Sequence, residues 1–442
     1  MPRLIAKLFP IQKLILCCYQ WLKGFCAALE GWRRIGLRRR QGCLGLLGIV
    51  LLSSWAFPDD SVISRTSSLR FFKLLPLSKA EASPEVPVLR DSMNIDQRRR
   101  EIVASLGKPA RLLVGLGSTD PVDILAQQVT PDLFDVYLTG LGPTNSWRGW
   151  NKPDGEYLQM KLRDSAKVGA VPMLTVYQIA TGGENNLDVL GDSKFMQIYW
   201  GDFHRLMLLL KAYNKPVLLN IEPDFWGYTL RKNPDPTTHF AHVGNVYDEC
   251  GRFGNTVTAM VQCMVHQTRK HVPKARIGFP APGFLDLINK QIPYMRKLGA
   301  DQADFGVMQT GDRDAGCYEV GKPPCANSRD PIVMYWDETN TKTPNFNQHF
   351  SYASNYSRGI NLPLIWWQTP LGAKSSQFGG RPFAYRDSKV HYFLTHGAQV
   401  VDAGGFGVVF SPGEKTQTEL RTDGGQFKTY SKAYFSAPTP LP

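Results

Sequence analysis

Eight short apolar runs, with stretches between them whose nonpolar residues recur at helical spacing, constrain this chain more than any other feature. The runs cover residues 111–116, 133–139, 172–179, 216–221, 275–279, 304–309, 362–368 and 405–410, with helix-period segments at 156–168, 194–213, 256–271, 285–298 and 385–401. Runs that are apolar throughout suit parallel strands covered on both faces, and strand–helix alternation repeated in this way predicts an α/β fold, a (β/α)8 TIM-type barrel. A doubly wound open sheet is the rival. The glycine fingerprint it would need for a dinucleotide is missing, because Gly115-Leu116-Gly117 continues into Ser118-Thr119-Asp120.

A chain of 442 residues is long enough for one such barrel plus an extension. Its formal charge of +13 suggests nucleic acid only until the charge is located. Residues 1–57 hold nine Lys or Arg against the single acid Glu30, so most of the excess lies there and the body is only mildly basic. Nucleic acid is therefore not an expected partner.

The same extension has the order of an export segment: Arg33, Arg34, Arg38, Arg39 and Arg40, then the apolar run 42–57. Positive charge before a short apolar stretch holds the N-terminus in the cytoplasm and sends the downstream chain across the membrane. The run is intermediate in length between a signal-peptide core and a spanning helix of about 20 residues. The expectation is a periplasmic or secreted body, with residues 1–57 as signal peptide or inner-membrane anchor, 58–95 as a Ser- and Pro-rich linker, and 96–442 as the barrel.

Eight cysteines divide evenly between the extension and the body. Cys250, Cys263, Cys317 and Cys325 are an even set in an exported domain and permit disulfides; Cys317 and Cys325 bracket a short loop and are the expected pair. No Cys-x-x-Cys or closely spaced His pair offers metal spacing, and no cofactor is expected.

Chemistry concentrates where the fourth run, 216–221, passes directly into Glu222-Pro223-Asp224-Phe225-Trp226. A strand buried on both faces cannot carry carboxylates, so these acids must stand where it opens at its carboxyl end, the end at which barrel enzymes act. A plain helix N-cap is the competing reading of Asp224. The other strand ends contribute Ser118, Asp120, Asn145, Trp147, Arg148, Trp150, Tyr177, Gln178, Glu184, Gln309, Asp312, Arg313, Asp314, Trp366, Trp367, Gln368, Ser411, Glu414 and Asp423. Rings, amides and acids together suit a polysaccharide, since rings stack on pyranose faces while carboxyls act on the glycosidic oxygen. For the tryptophans, packing is the competing reading; in Ile365-Trp366-Trp367-Gln368 the alternation sends the two rings to opposite faces. Asp312 and Asp314 flank Arg313, and a solvated ion-paired loop competes there. No Ser/His/Asp arrangement or Gly-x-Ser-x-Gly is present, which disfavours an esterase.

Glycoside hydrolysis needs one protonated carboxyl and a second that attacks carbon or activates water. A retaining barrel would want its nucleophile after the seventh strand, where Gln368 stands, so inversion is favoured.

Leu218-Leu219-Asn220-Ile221-Glu222-Pro223-Asp224, Val176-Tyr177 and Phe410-Ser411-Pro412-Gly413-Glu414 with Asp423 resemble the motifs of glycoside hydrolase family 6, the inverting cellulases. The resemblance implies Asp224 as general acid, Tyr177 beside the cleaved sugar and Asp423 as base. Two parts of the pattern differ: Ala180-Thr181-Gly182-Gly183-Glu184 replaces an Asp-Arg-Asp-Cys segment, and Ser411 replaces a lysine.

The resulting expectation is an exported glycoside hydrolase cleaving a β-glucan or related exopolysaccharide by inversion. Asp224 donates the proton, Glu222 or Glu184 tunes it, and Asp423 or Asp312 activates water. Tyr177, Trp147, Trp226, Trp367, Gln368 and Gln309 bind sugar. A retaining enzyme with Glu222 as acid/base and a non-catalytic polysaccharide-binding protein are the alternatives.

Overall fold

Each of the eight apolar runs is a strand in a computed structural model that describes residues 94–283, 288–310, 336–372, 389–412 and 418–442. The strands are β1 Leu113–Gly117, β2 Leu133–Thr139, β3 Val171–Tyr177, β4 Val217–Ile221, β5 Ala275–Pro280, β6 Phe305–Met308, β7 Leu364–Pro370 and β8 Gly405–Ser411. Every neighbouring pair is parallel, and β8 returns to β1, so the sheet closes into a barrel. The basic extension, the linker as far as residue 93, Cys317, Cys325, Asp312, Arg313, Asp314 and Glu414 lie outside the described residues, while Asn94 and Ile95, expected at the linker's end, cap and open the first helix.

Around the barrel run helices α1 Ile95–Ser105, α2 Pro121–Ala126, α3 Glu156–Lys167, α4 Ser193–Tyr213, α5 Phe225–Lys232, α6 Val257–His271, α7 Ile288–Leu298, α8 Phe346–Ile360, α9 Lys389–Thr395, α10 Gly397–Asp402 and α11 Gln426–Ser436. Their ends follow from local chemistry. Asp192 accepts from the amides of Lys194 and Phe195 at the start of α4, and Asn214 ends that helix in the left-handed region at φ 50°. Asn345 and Gln348 close a reciprocal capping box on α8, which ends in the same way at Asn361. The span expected as one helix over 385–401 is two, α9 and α10, because His396 leaves helical geometry between them.

Strand limits shift for identifiable reasons. β1 begins at Leu113 because Arg111 instead bridges Pro440 and pairs with Asp132. β3 stops at Tyr177 because the next two amides turn to a side chain at the end of β4.

Side-chain alternation along the strands gives the bore a polar lining. Thr175 on β3 donates to Asp135 on β2 at 2.6 Å, Asn220 on β4 donates to Thr175 at 3.1 Å, and Trp367 on β7 donates across the bore to Asp135 at 3.0 Å. Gly117 on β1 makes room for this: a Cβ there would stand 3.0 Å from the Asp135 carboxylate. Trp366 faces the other way, donating to His349 of α8 at 2.8 Å and packing on Phe350 and Phe393.

Between β4 and α6 the chain makes a long excursion containing a 3-10 turn, Asp248–Phe253, which the disulfide Cys250–Cys263 ties to α6. Among the described residues no helix is long and apolar enough to cross a membrane.

Candidate active site

The carboxyl end of β4 places its two acids in opposite environments. Glu222 takes a left-handed backbone at φ 50°, which turns its side chain away from the regular alternation. It is 0% exposed, and its carboxyl accepts from the amides of Gln178 at 3.1 Å and Ile179 at 3.2 Å, with the Tyr199 phenol alongside. Burial outweighs these contacts and pushes its pKa up to about 8.

This carboxyl acts as a clamp. It captures the two amides left over where β3 ends, while the Gln178 side chain donates to the Gly140 carbonyl and to Asp202, each at 2.9 Å. Asp202 also accepts from Arg148 at 2.8 Å and from the amide of Gly142 at 2.7 Å. The loop after β2, the end of β3 and helix α4 are thereby locked together. Arg148 is absorbed in this network, its other contacts going to Asp154.

Asp224 occupies the N-cap position of α5 at φ 66°, yet its side chain makes no cap hydrogen bond. The plain-cap reading therefore fails. Its half-buried carboxylate belongs to a cluster with Tyr177, Tyr228 and Glu184. Tyr228 donates to Glu184 at 3.3 Å. Burial raises the pKa of both phenols, and the negative charges of Asp224 and Glu184 raise them further. Two phenols are thus held neutral beside the charges of Asp224 and Glu184.

On the other side of the mouth, Gln309 at the end of β6 donates to Gln368 on β7 at 3.2 Å, and Gln368 donates to the Tyr137 hydroxyl on β2. Tyr137 packs against Trp367 with ring centroids 5.6 Å apart. Gln368 is also left-handed, at φ 51°, as is Ser118 after β1 at φ 50°. Non-glycine residues in this region store strain that surrounding structure must hold, and here such residues stand just after β1 and β4 and at the irregularity late in β7.

Several expected roles change. Trp147 and Trp226 are each 0% exposed and Trp367 is 1% exposed, so none presents a face to a sugar. Trp226 donates to the Ile221 carbonyl at 2.9 Å and packs between Phe225 and Phe279; Trp367 is fixed by Asp135 in the bore. A large ring just past a strand has as much apolar surface to bury as to offer. Glu222 is sealed by backbone amides and cannot reach a substrate as acid/base. Asp423 is 0% exposed, and its two oxygens accept from the amides of Gly425 and Phe427 at 2.7 and 2.9 Å. It fixes the start of α11 and is not disposed to activate water.

The residues that sequence reasoning passed over are Asp135, Tyr137 and Tyr228. Asp135 is buried with its pKa raised to about 6 by burial. The signal was present: residues 135 and 137 share one face of a strand, and an acid inside an apolar run must have partners.

No family model matches the chain, and no curated protein matches it, so the family 6 resemblance gains no support there. Among solved structures, a GH5 xyloglucanase from Bacteroides ovatus in complex with a XXXG heptasaccharide is 10% identical, with 78% of this chain and 77% of that chain covered and a TM-score of 0.45. The cellulose synthase subunit Z of Clostridioides difficile is also 10% identical, covering 72% of this chain and 99% of its own, at a TM-score of 0.44. A D-psicose 3-epimerase from Clostridium cellulolyticum is 10% identical over 74% and 98% of the two chains, at a TM-score of 0.36.

Proposed function

We propose that this chain is a glycoside hydrolase that cleaves a polysaccharide, a β-glucan or related exopolysaccharide, with Asp224 as general acid. The observation that carries the reading is Asp224 at the carboxyl end of β4, in the N-cap position without capping, its charge acting with that of Glu184 on the phenols of Tyr177 and Tyr228. A proton donor to a glycosidic oxygen needs a carboxyl open to substrate beside groups that orient the sugar, and phenols serve the second task. Tyr177 sits one residue before the amides that Glu222 clamps, so Glu222 is a positioning residue here.

The β7 end carries Gln368, an amide that cannot attack carbon, which favours inversion. With Asp423 engaged by the amides of Gly425 and Phe427, the base falls to Asp312. Tyr137, Gln309 and Gln368 form the opposite wall and bind hydroxyl groups. Export is part of the proposal: the disulfide Cys250–Cys263 suits an oxidising compartment, and residues 42–57 would serve as signal or inner-membrane anchor.

The experiment is hydrolysis of soluble β-glucans by the full chain and by Asp224→Ala. Loss of the general acid should lower turnover on natural linkages by about 10²–10⁴ while sparing aryl glycosides whose leaving groups need no proton. Unchanged turnover on glucan removes the assignment. Proton NMR of the first-formed anomer tests inversion; first release of the retained anomer rejects it. The engagement of Asp423 by backbone amides leaves fewer acids for catalysis and so favours one second reading, a polysaccharide-binding protein without catalysis. That reading predicts glycan binding with no new reducing ends.

A further inference from the structure

On the flank of the barrel, His204 of α4, Glu249 of the 3-10 turn Asp248–Phe253 and His271 at the end of α6 converge, with one ligand atom of each within 4.8 Å of the others. His271 Nε2 lies 3.0 Å from Glu249 Oε2, and His204 Nδ1 lies 3.8 Å from Glu249 Oε1. The Tyr247 hydroxyl is 2.8 Å from His204 Nδ1. The geometry points to a zinc site, with His204, Glu249 and His271 as ligands and solvent in the fourth position.

Two imidazoles and a carboxylate are a donor set that suits zinc. Tetrahedral ligands at zinc stand about 3.3 Å apart, so small side-chain rotations gather these three. All three side chains are half-buried, and a groove of about 580 Å³ lined by Ser193, Gln197, Tyr247 and Glu249 gives solvent access. One cation competes: Lys270 Nζ lies 2.6 Å from Glu249 Oε2, and its half-exposed stem can swing to solvent when the ion binds.

The placement gives the ion a structural task. The excursion between β4 and α6 is tied to α6 by Cys250–Cys263, one residue after Glu249. A metal on His204 would tie the same turn to α4 as well. None of these ligands belongs to the mouth, so the site is separate from the proposed chemistry.

The full chain, kept oxidised and stripped with chelator, would be titrated with zinc chloride by calorimetry, its metal content and thermal midpoint being followed in parallel. One zinc per chain, a sub-micromolar Kd and a midpoint raised by several degrees are expected. His204→Ala and His271→Ala should each weaken binding by about a hundredfold, and Glu249→Gln, which keeps the side-chain shape, should do so even if an alanine variant folds poorly. His266→Ala, a nearby imidazole facing Arg252, should bind as the unaltered chain does. Cobalt in place of zinc should give the intense visible bands of a four-coordinate ion. Absence of stoichiometric zinc in the unaltered chain, or undiminished affinity in folded Glu249→Gln, overturns the site.

Discussion

A fully buried acid held by backbone amides is an uncommon choice, and Glu222 shows what it accomplishes. Its carboxyl satisfies two amides that would otherwise be stranded where β3 ends, at the cost of a pKa pushed from an ordinary 4.5 to about 8. A raised pKa means that the folded chain holds a proton the unfolded chain releases. The associated stability is therefore complete below about pH 4.5 and is lost as pH rises through about 8. Urea unfolding between pH 5 and 8 should show stability falling by up to about 1.4 kcal/mol per pH unit from this group. Asp135, raised to about 6, adds to the acid part of that window. Glu222→Gln, neutral at every pH and of the same shape, should flatten the profile above pH 6. An unaltered slope in that variant would show that Glu222 does not carry the proton.

At the level of elements, the apolar runs were legible because a strand covered on both faces has no polar side to confuse the pattern. The same property hid Asp135 and Tyr137. Inside a closed bore both faces of a strand are buried, and hydropathy alone cannot say which face looks inward. The acids after β4 were legible from their position, but their division of labour was not. It depends on two left-handed residues, Glu222 and Asp224, that send neighbouring carboxyls in different directions. Exposure of Trp147, Trp226 and Trp367 depends on what packs over them, which no local pattern records. The Cys250–Cys263 pair and the His204, Glu249 and His271 cluster also escaped, because their members come from separate elements. The disulfide spans 13 residues, and loop closure of that length is worth about 3 kcal/mol. Replacing both cysteines by serine should lower unfolding stability by about 2–4 kcal/mol and leave any glucan turnover within about twofold. A collapse of activity in a variant that remains folded would tie the excursion to the mouth.

For the whole molecule, the fold rests on strand pairing that closes on itself, while the proposed function rests on one end of the ring. The left-handed residues Ser118 and Glu222, just after β1 and β4, and Gln368, late in β7, stand at intervals of three strands and again three, with two remaining to close the circle. Such an arrangement works as a tripod. Each foot is a turn or bulge with little conformational slack, because relaxing it means giving up packing beneath it. Hydrogen exchange should find the amides of 118, 222 and 368 opening only with global unfolding, whether or not a glycan is bound; rapid local exchange at these turns would refute the idea. A ligand spanning such a frame meets fixed footings, so selection would work as a rigid gauge does, admitting chains that already fit and turning away those that would require the protein to yield.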